Sequence, residues 1–175
     1  MDGAACVKKA YEFILRNDFE SAIYWFEKAI ELEPRVADYY YRCSISCARS
    51  GKWQKAMDYA KHALLLEPHN QEFLYQAEIV EARLLYITAQ QAIEAKPPQW
   101  TIAIEQLERS FELDALNFEV PFTLSMVYDA AGDIEKALKY VREALKLSPD
   151  HAAARTLFAN IKRKYRKISN KRNRQ

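Results

Sequence analysis

The sequence predicts an all-α protein made of antiparallel helix pairs laid one after another, and three observations carry the prediction. Of 175 residues only 3 are Gly and 6 are Pro, while Ala, Leu, Glu, Lys and Ile dominate, the composition of helices rather than of turns between strands. Four segments share an ending: AIELEP at 29–34, ALLLEP at 63–68, SFELDA at 110–115 and ALKLSP at 144–149. Their beginnings agree too, since NDFESA (17–22), GKWQKA (51–56), PQWTIA (98–103) and GDIEKA (132–137) precede them at equal distance. Pro34 to Pro68 is 34 residues and Ala115 to Pro149 is again 34, whereas Pro68 to Ala115 is 47, an excess of 13. The length suits one domain with a sizeable core, expected over 1–161.

Taken in order, the units span 3–36, 37–70, 71–117 and 118–151, each a pair of helices. The second helix of each carries an alanine, a residue four on and a small residue three further: Ala22, Phe26, Ala29; Ala56, Ala60, Ala63; Ala103, Leu107, Ser110; and Ala137, Val141, Ala144. That spacing lays each triplet on one stripe, and its small side chains let a neighbouring helix approach closely. Asn17, Gly51 and Gly132 precede three of these helices and tolerate the left-handed backbone of a tight turn. Pro34, Pro68 and Pro149 follow, stopping the helix and setting the corner.

The third unit holds the 13 extra residues. From the front, its small-residue slot falls on Glu78, and from the back on Gln91, so neither frame fits. Residues 71–95 contain no Gly or Pro and keep apolar positions at Leu74, Ala77, Leu84, Leu85, Thr88 and Ala92, which predicts one long helix entered through an Asn70 cap. Thirteen helical residues add roughly 20 Å at about 1.5 Å each. Pro97 and Pro98 then occupy the turn inside the pair, because Trp100 takes the place of Trp53 and Phe19. A terminal helix from 150, capped by Asp150, is expected to bury Ala154, Leu157, Phe158, Ile161 and Tyr165 as the polar-backed lid that a repeat stack needs.

These units resemble the tetratricopeptide repeat family, whose 34-residue pattern runs W-x2-L-G-x2-Y, then A-x3-F, then P. The second-helix half and the prolines match best. In the first-helix half the small slot holds Ala10, Ser44 and Ser125, followed by Phe13, Cys47 and Tyr128, while the tryptophan slot holds Cys6, Tyr40, Leu74 and Pro121. The resemblance spans about residues 3–149 and implies a right-handed superhelical α-solenoid of about nine helices, whose first helices line a concave face that receives partner peptides. Carried over residue by residue, that face is Val7, Tyr11, Tyr41, Arg42, Ile45 and Arg49, then Tyr75, Ile79 and Arg83, then Phe122, Met126 and Asp129. The subfamily that clamps the C-terminal carboxylate of heat-shock chaperones has a lysine and an asparagine where this chain has Val7 and Tyr11, so that clamp is not expected. An apolar or amphipathic peptide or helix of another protein suits these side chains better.

Charge divides unevenly. Residues 162–175, KRKYRKISNKRNRQ, hold 8 Lys and Arg and no acid, leaving 18 basic against 24 acidic residues in 1–161. This basic end of the last helix and its tail (Lys162, Arg163, Lys164, Arg166, Lys167, Lys171, Arg172, Arg174) offers an alternative mode, binding a nucleic acid, ribosome or other anionic partner by charge. Self-association into a homo-oligomer through the apolar face is a third reading. No cofactor or metal is expected: Cys6, Cys43 and Cys47 have no second ligand cluster, and His62, His69 and His151 are scattered. No phosphate loop, His-Glu-x-x-His motif or nucleophile context is present, so the chain is not expected to be an enzyme. No apolar run approaches the roughly 20 residues of a membrane span, and MDGAACVKKA lacks the order of a signal peptide. The expectation is a soluble, cytoplasmic scaffold, adaptor or chaperone-like protein.

Overall fold

Helix after helix follows the predicted order in the computed structural model, which describes residues 2–172. Among these residues there are nine helices and no strand: α1 (Gly3–Ile14), α2 (Phe19–Leu32), α3 (Ala37–Arg49), α4 (Trp53–Leu66), α5 (Gln71–Glu94), α6 (Trp100–Leu113), α7 (Glu119–Ala131), α8 (Ile134–Leu147) and α9 (Ala152–Arg172). The chain divides into two compact units at Leu84/Leu85. The long helix α5 gives its first half to one unit and its second half to the other.

Two small backbone devices recur along the chain, the first in three of the four pairs and the second at all four corners. Inside a pair, Asn17, Gly51 and Gly132 adopt φ of 57°, 76° and 88°, the left-handed values expected of them. The next residue then bonds back around the helix end: Asp18 N to Phe13 O (3.0 Å), Lys52 N to Cys47 O (2.9 Å) and Asp133 N to Tyr128 O (2.9 Å). Between pairs, the corners also repeat. Glu33, Glu67, Asp114 and Ser148 donate to Ala29, Ala63, Ser110 and Ala144, and the carbonyls of those four corner residues accept from Val36, Asn70, Asn117 and His151 at 3.3 Å. The Ala115 corner has the same bonds as the three proline corners, so proline stops the helix there without being needed for the geometry.

Caps follow local chemistry. Asp2, Asp18 and Asp133 accept from the amides of Ala5, Ser21 and Lys136, and Asn70 Oδ1 accepts from Glu72 N and Phe73 N, as expected. At α9 the expected Asp150 cap is replaced. His151 Nδ1 accepts from Ala154 N at 3.2 Å, because the corner turn continues to His151 and places it one position before Ala152.

In the first unit, α1 packs on α2, α2 on α3 and α3 on α4. Its core joins Ala10, Ala22, Phe26, Cys43, Cys47, Ala56 and Val80, with Phe73 seated against Ala37 and Ala63. Cys43 and Cys47 are buried free thiols in this core. Ser44, in the small slot of α3, donates to the Ala56 carbonyl of α4 at 2.8 Å and accepts from Gln76 of α5 at 3.2 Å.

In the second unit, one cluster joins Tyr86, Ala89 and Ala92 of α5 to Ala103 and Leu107 of α6, Val120 and Leu124 of α7, Val141 of α8 and Ile161 of α9. The two frames that conflicted over α5 are both used. Phe73 and Val80 are buried by the front frame, and Tyr86, 13 residues after Phe73, is buried by the back frame. Thirteen residues are not a whole number of turns at about 3.6 residues each, so α5 has no single apolar stripe along its length. All four second-helix triplets are fully buried, as their spacing required. Tyr165 of α9, expected to be buried, is exposed.

Candidate functional site

The first unit contains a cleft of about 190 Å³ lined by Tyr11 and Ile14 of α1, Phe19 and Phe26 of α2, and Arg42, Ile45, Ser46 and Arg49 of α3. Its floor is the Phe26 ring, fully buried, with Tyr11 edge-on to it at 6.0 Å between centroids. Phe26 is the large middle residue of the α2 triplet, which has Ala60 as its counterpart in α4. That wide side chain, between two alanines, lies beneath the space bordered by α1 and α3.

Two guanidinium groups stand at the rim. Arg42 donates from Nε to Asp38 at 2.5 Å, one turn back on α3, and its guanidinium carbon lies 5.3 Å from the Tyr11 ring centroid. Burial, with Glu67 and Glu72 nearby, pushes the Asp38 carboxyl above its ordinary range. That push opposes the pairing with Arg42, yet the direct bond keeps the two groups together as a neutralised pair. Arg49 ends α3 exposed, 5.7 Å above the Phe19 ring. Among the described residues no carboxylate pairs with it.

Of the residues expected to form a peptide-binding face, Tyr11, Arg42, Ile45 and Arg49 meet in this cleft. Val7 packs half-buried against the core, and Tyr41 leans on Phe73 at 4.8 Å. Tyr75 is exposed and Ile79 half-buried. Arg83 lies 5.5 Å from the Trp53 ring, repeating the Arg49–Phe19 pair 34 residues on. In the second unit Phe122 stacks on Phe118 at 5.4 Å and meets His151 at the same distance. Met126 is exposed. Asp129 takes both carboxylate oxygens to Lys164 of α9, at 2.7 and 2.6 Å.

That last bond joins a residue expected on the binding face to one expected in the basic tail. Lys162, Arg163, Arg166 and Lys167 are exposed on α9, which stays helical through the basic run. The side chains of Lys171 and Arg172, and the whole of Arg174, lie outside the described residues. Sequence reasoning missed Ile14, Phe19, Phe26 and Ser46 as cleft residues. The signal was present in the triplets, where Phe26 and Leu107 are the two large middle residues besides Val141.

No helix is long and apolar enough to cross a membrane among the described residues. Residues 3–36 and 122–151 each match a model of the tetratricopeptide repeat. No curated protein sequence matches the chain. Solved structures similar in fold include YrrB, described as a tetratricopeptide repeat protein with an unusual peptide-binding site, at 21% identity over 93% of this chain and 92% of that one, TM-score 0.51. MamA from AMB-1 is similar at 16% identity, over 93% and 82% of the two chains, TM-score 0.55. MamA from Desulfovibrio magneticus RS-1 is similar at 18% identity, over 94% and 96%, TM-score 0.51.

Proposed function

We propose that this tetratricopeptide repeat protein is a protein–protein interaction module, an adaptor or scaffold that holds an apolar-anchored segment of another protein. The observation that carries the reading is the cleft in the first unit, where the partly exposed Tyr11 and Ile45 stand over the buried Phe26 ring. A concave apolar pocket with a few placed polar groups is the usual form of a recognition site. The repeat architecture itself serves binding rather than chemistry, and no cluster of ionisable side chains around the cleft has the arrangement of an acid, base and nucleophile. Tyr75 and Ile79 extend the proposed surface within the first unit, and Phe122 and Met126 are proposed as contacts of the second unit by itself.

A photo-crosslinking side chain installed at Ile45 tests this reading, with Leu65, exposed at the far end of α4, as the reference position. Crosslinks to other proteins from position 45, lost when Phe26 is replaced by Ala in a chain that keeps its helical circular dichroism, are the expected result. Equal crosslinking from both positions would remove the cleft as the site.

The exposed Lys162, Arg163, Arg166 and Lys167 on α9 favour a second mode, attraction of a polyanion to that helix. Binding through α9 weakens steeply between about 50 and 200 mM salt, and binding through the cleft does not.

A further inference from the structure

We infer that the cleft in the first unit selects an extended acidic segment in which a carboxylate lies two residues from a large apolar side chain. This rests on the reading of the cleft as the binding site and adds the chemistry of what it binds. The cleft, about 190 Å³, is smaller than the roughly 300–1,000 Å³ usual for a small-molecule pocket. That is room for one large side chain, and an extended segment delivers it while leaving its alternate side chains to meet the rim.

Charge then sets the neighbour. Arg42, Ile45 and Arg49 form one row on α3, at spacings of three and four residues. The first guanidinium is already neutralised by Asp38. The second, Arg49, has no carboxylate partner among the described residues and rests over Phe19 at the open end of the cleft. Ile45 and Arg49 are about 6 Å apart along the helix axis, at about 1.5 Å per residue. In an extended segment, side chains two residues apart point the same way and stand about 6.6 Å apart. An apolar side chain seated over Ile45 therefore places the side chain two positions away at Arg49, where a carboxylate makes a charge-assisted, two-bond contact with the guanidinium.

The test is selection of random displayed 12-residue peptides on the full chain, on Arg49→Gln, on Arg49→Glu and on Ile45→Asp, each checked for helical content. The expected result on the unaltered chain is enrichment of Asp or Glu two positions from Leu, Phe, Met or Trp, about tenfold over library frequency. Arg49→Gln should remove the acidic preference while keeping the apolar anchor, and Arg49→Glu should turn the preference to Lys or Arg. Apolar anchors without an acidic neighbour, lost on Ile45→Asp, would overturn the inference and leave the interaction module standing. Absence of any enriched peptide would overturn both. If instead the chain's mass in light scattering rises with concentration and falls for Arg49→Glu, with no peptide enriched, the cleft belongs to a second copy and the inference fails.

Discussion

Helices α5 and α9 begin alike and end differently. Each follows a corner and exceeds the 12 to 14 residues of the other helices, at 24 and 21. Each buries two residues seven apart in its first half, Phe73 and Val80 in α5, Ala154 and Ile161 in α9. Beyond that point the side chains part ways. In α5 the continuation holds Tyr86 and Ala89, buried with α6 and α7, whereas the corresponding places in α9 are Lys167 and Asn170, both exposed. Extra helix length in this chain is therefore not an inert insertion. Apolar residues in it found another packed layer, and charged residues end the packing.

A charge at Ala89 gives the largest effect that would break this comparison. Ala89 is fully buried, and Ala89→Glu leaves an unpaired carboxylate in the second unit's core, a cost of more than about 4 kcal/mol. Asn170→Glu at the matching place of α9 should stay within about 0.5 kcal/mol. Urea unfolding read by Trp100 emission measures both. Equal losses would mean that α9 packs as α5 does.

A smaller effect sharpens the contrast between the two units. Ser44 and Ser125 occupy the same slot, but Ser44 reaches across to the Ala56 carbonyl on the next helix, while Ser125 donates to Phe122 O on its own helix at 2.7 Å. Ser44→Ala should cost about 1 kcal/mol through the lost bond between helices. Ser125→Ala should cost less than half as much, since it removes a bond within α7 and none between helices. Chemical denaturation of the two variants decides it, and a larger loss for Ser125→Ala would reverse the assignment.

The smallest expected effect concerns acid. Glu20 on α2 is held below its ordinary range by Lys52 and then by Ser50. Burial alone would raise Glu27, but bonds from Lys55 (2.5 Å) and Tyr59 (2.7 Å) outweigh it and hold that carboxyl low as well. A depressed folded pKa gives stability that is present above the unfolded value, about 4.3 for Glu, and lost as pH falls through the folded value. The first unit should therefore lose thermal stability below about pH 4.3, read at Trp25 and Trp53, and Lys55→Met should shrink that dependence. A Lys55→Met chain with an unchanged acid limb would show that these pairs contribute nothing.

Most of the fold could be read before any coordinates, because its determinants are local. Positive φ at Asn17, Gly51 and Gly132, the buried triplets and the Asn70 cap each depend on residues within one turn. The 13-residue excess was visible, but its meaning was not. Deciding that α5 serves two frames requires knowing that Val80 shares one core with Cys47 and Met57 while Tyr86 shares another with α6 and α7. The cleft was half legible for the same reason: Tyr11, Arg42, Ile45 and Arg49 follow from the helix face, whereas Phe26 is core and only its edge contact with Tyr11 places it beneath the cleft. The Asp129–Lys164 pair, 35 residues apart in the chain, leaves no local signal.

Every helix in the first unit touches a neighbour in chain order, and the last piece that unit needs, the first half of α5, ends at Leu84. Contacts of such short range close small loops and form quickly. During synthesis the cleft would thus be assembled while Tyr86, Leu107 and the rest of the second core are still emerging from the ribosome, at about 5–20 residues per second. For several seconds the cleft would exist on a half-made protein, and any molecule that fits it would meet it before α9 and its lysines are complete.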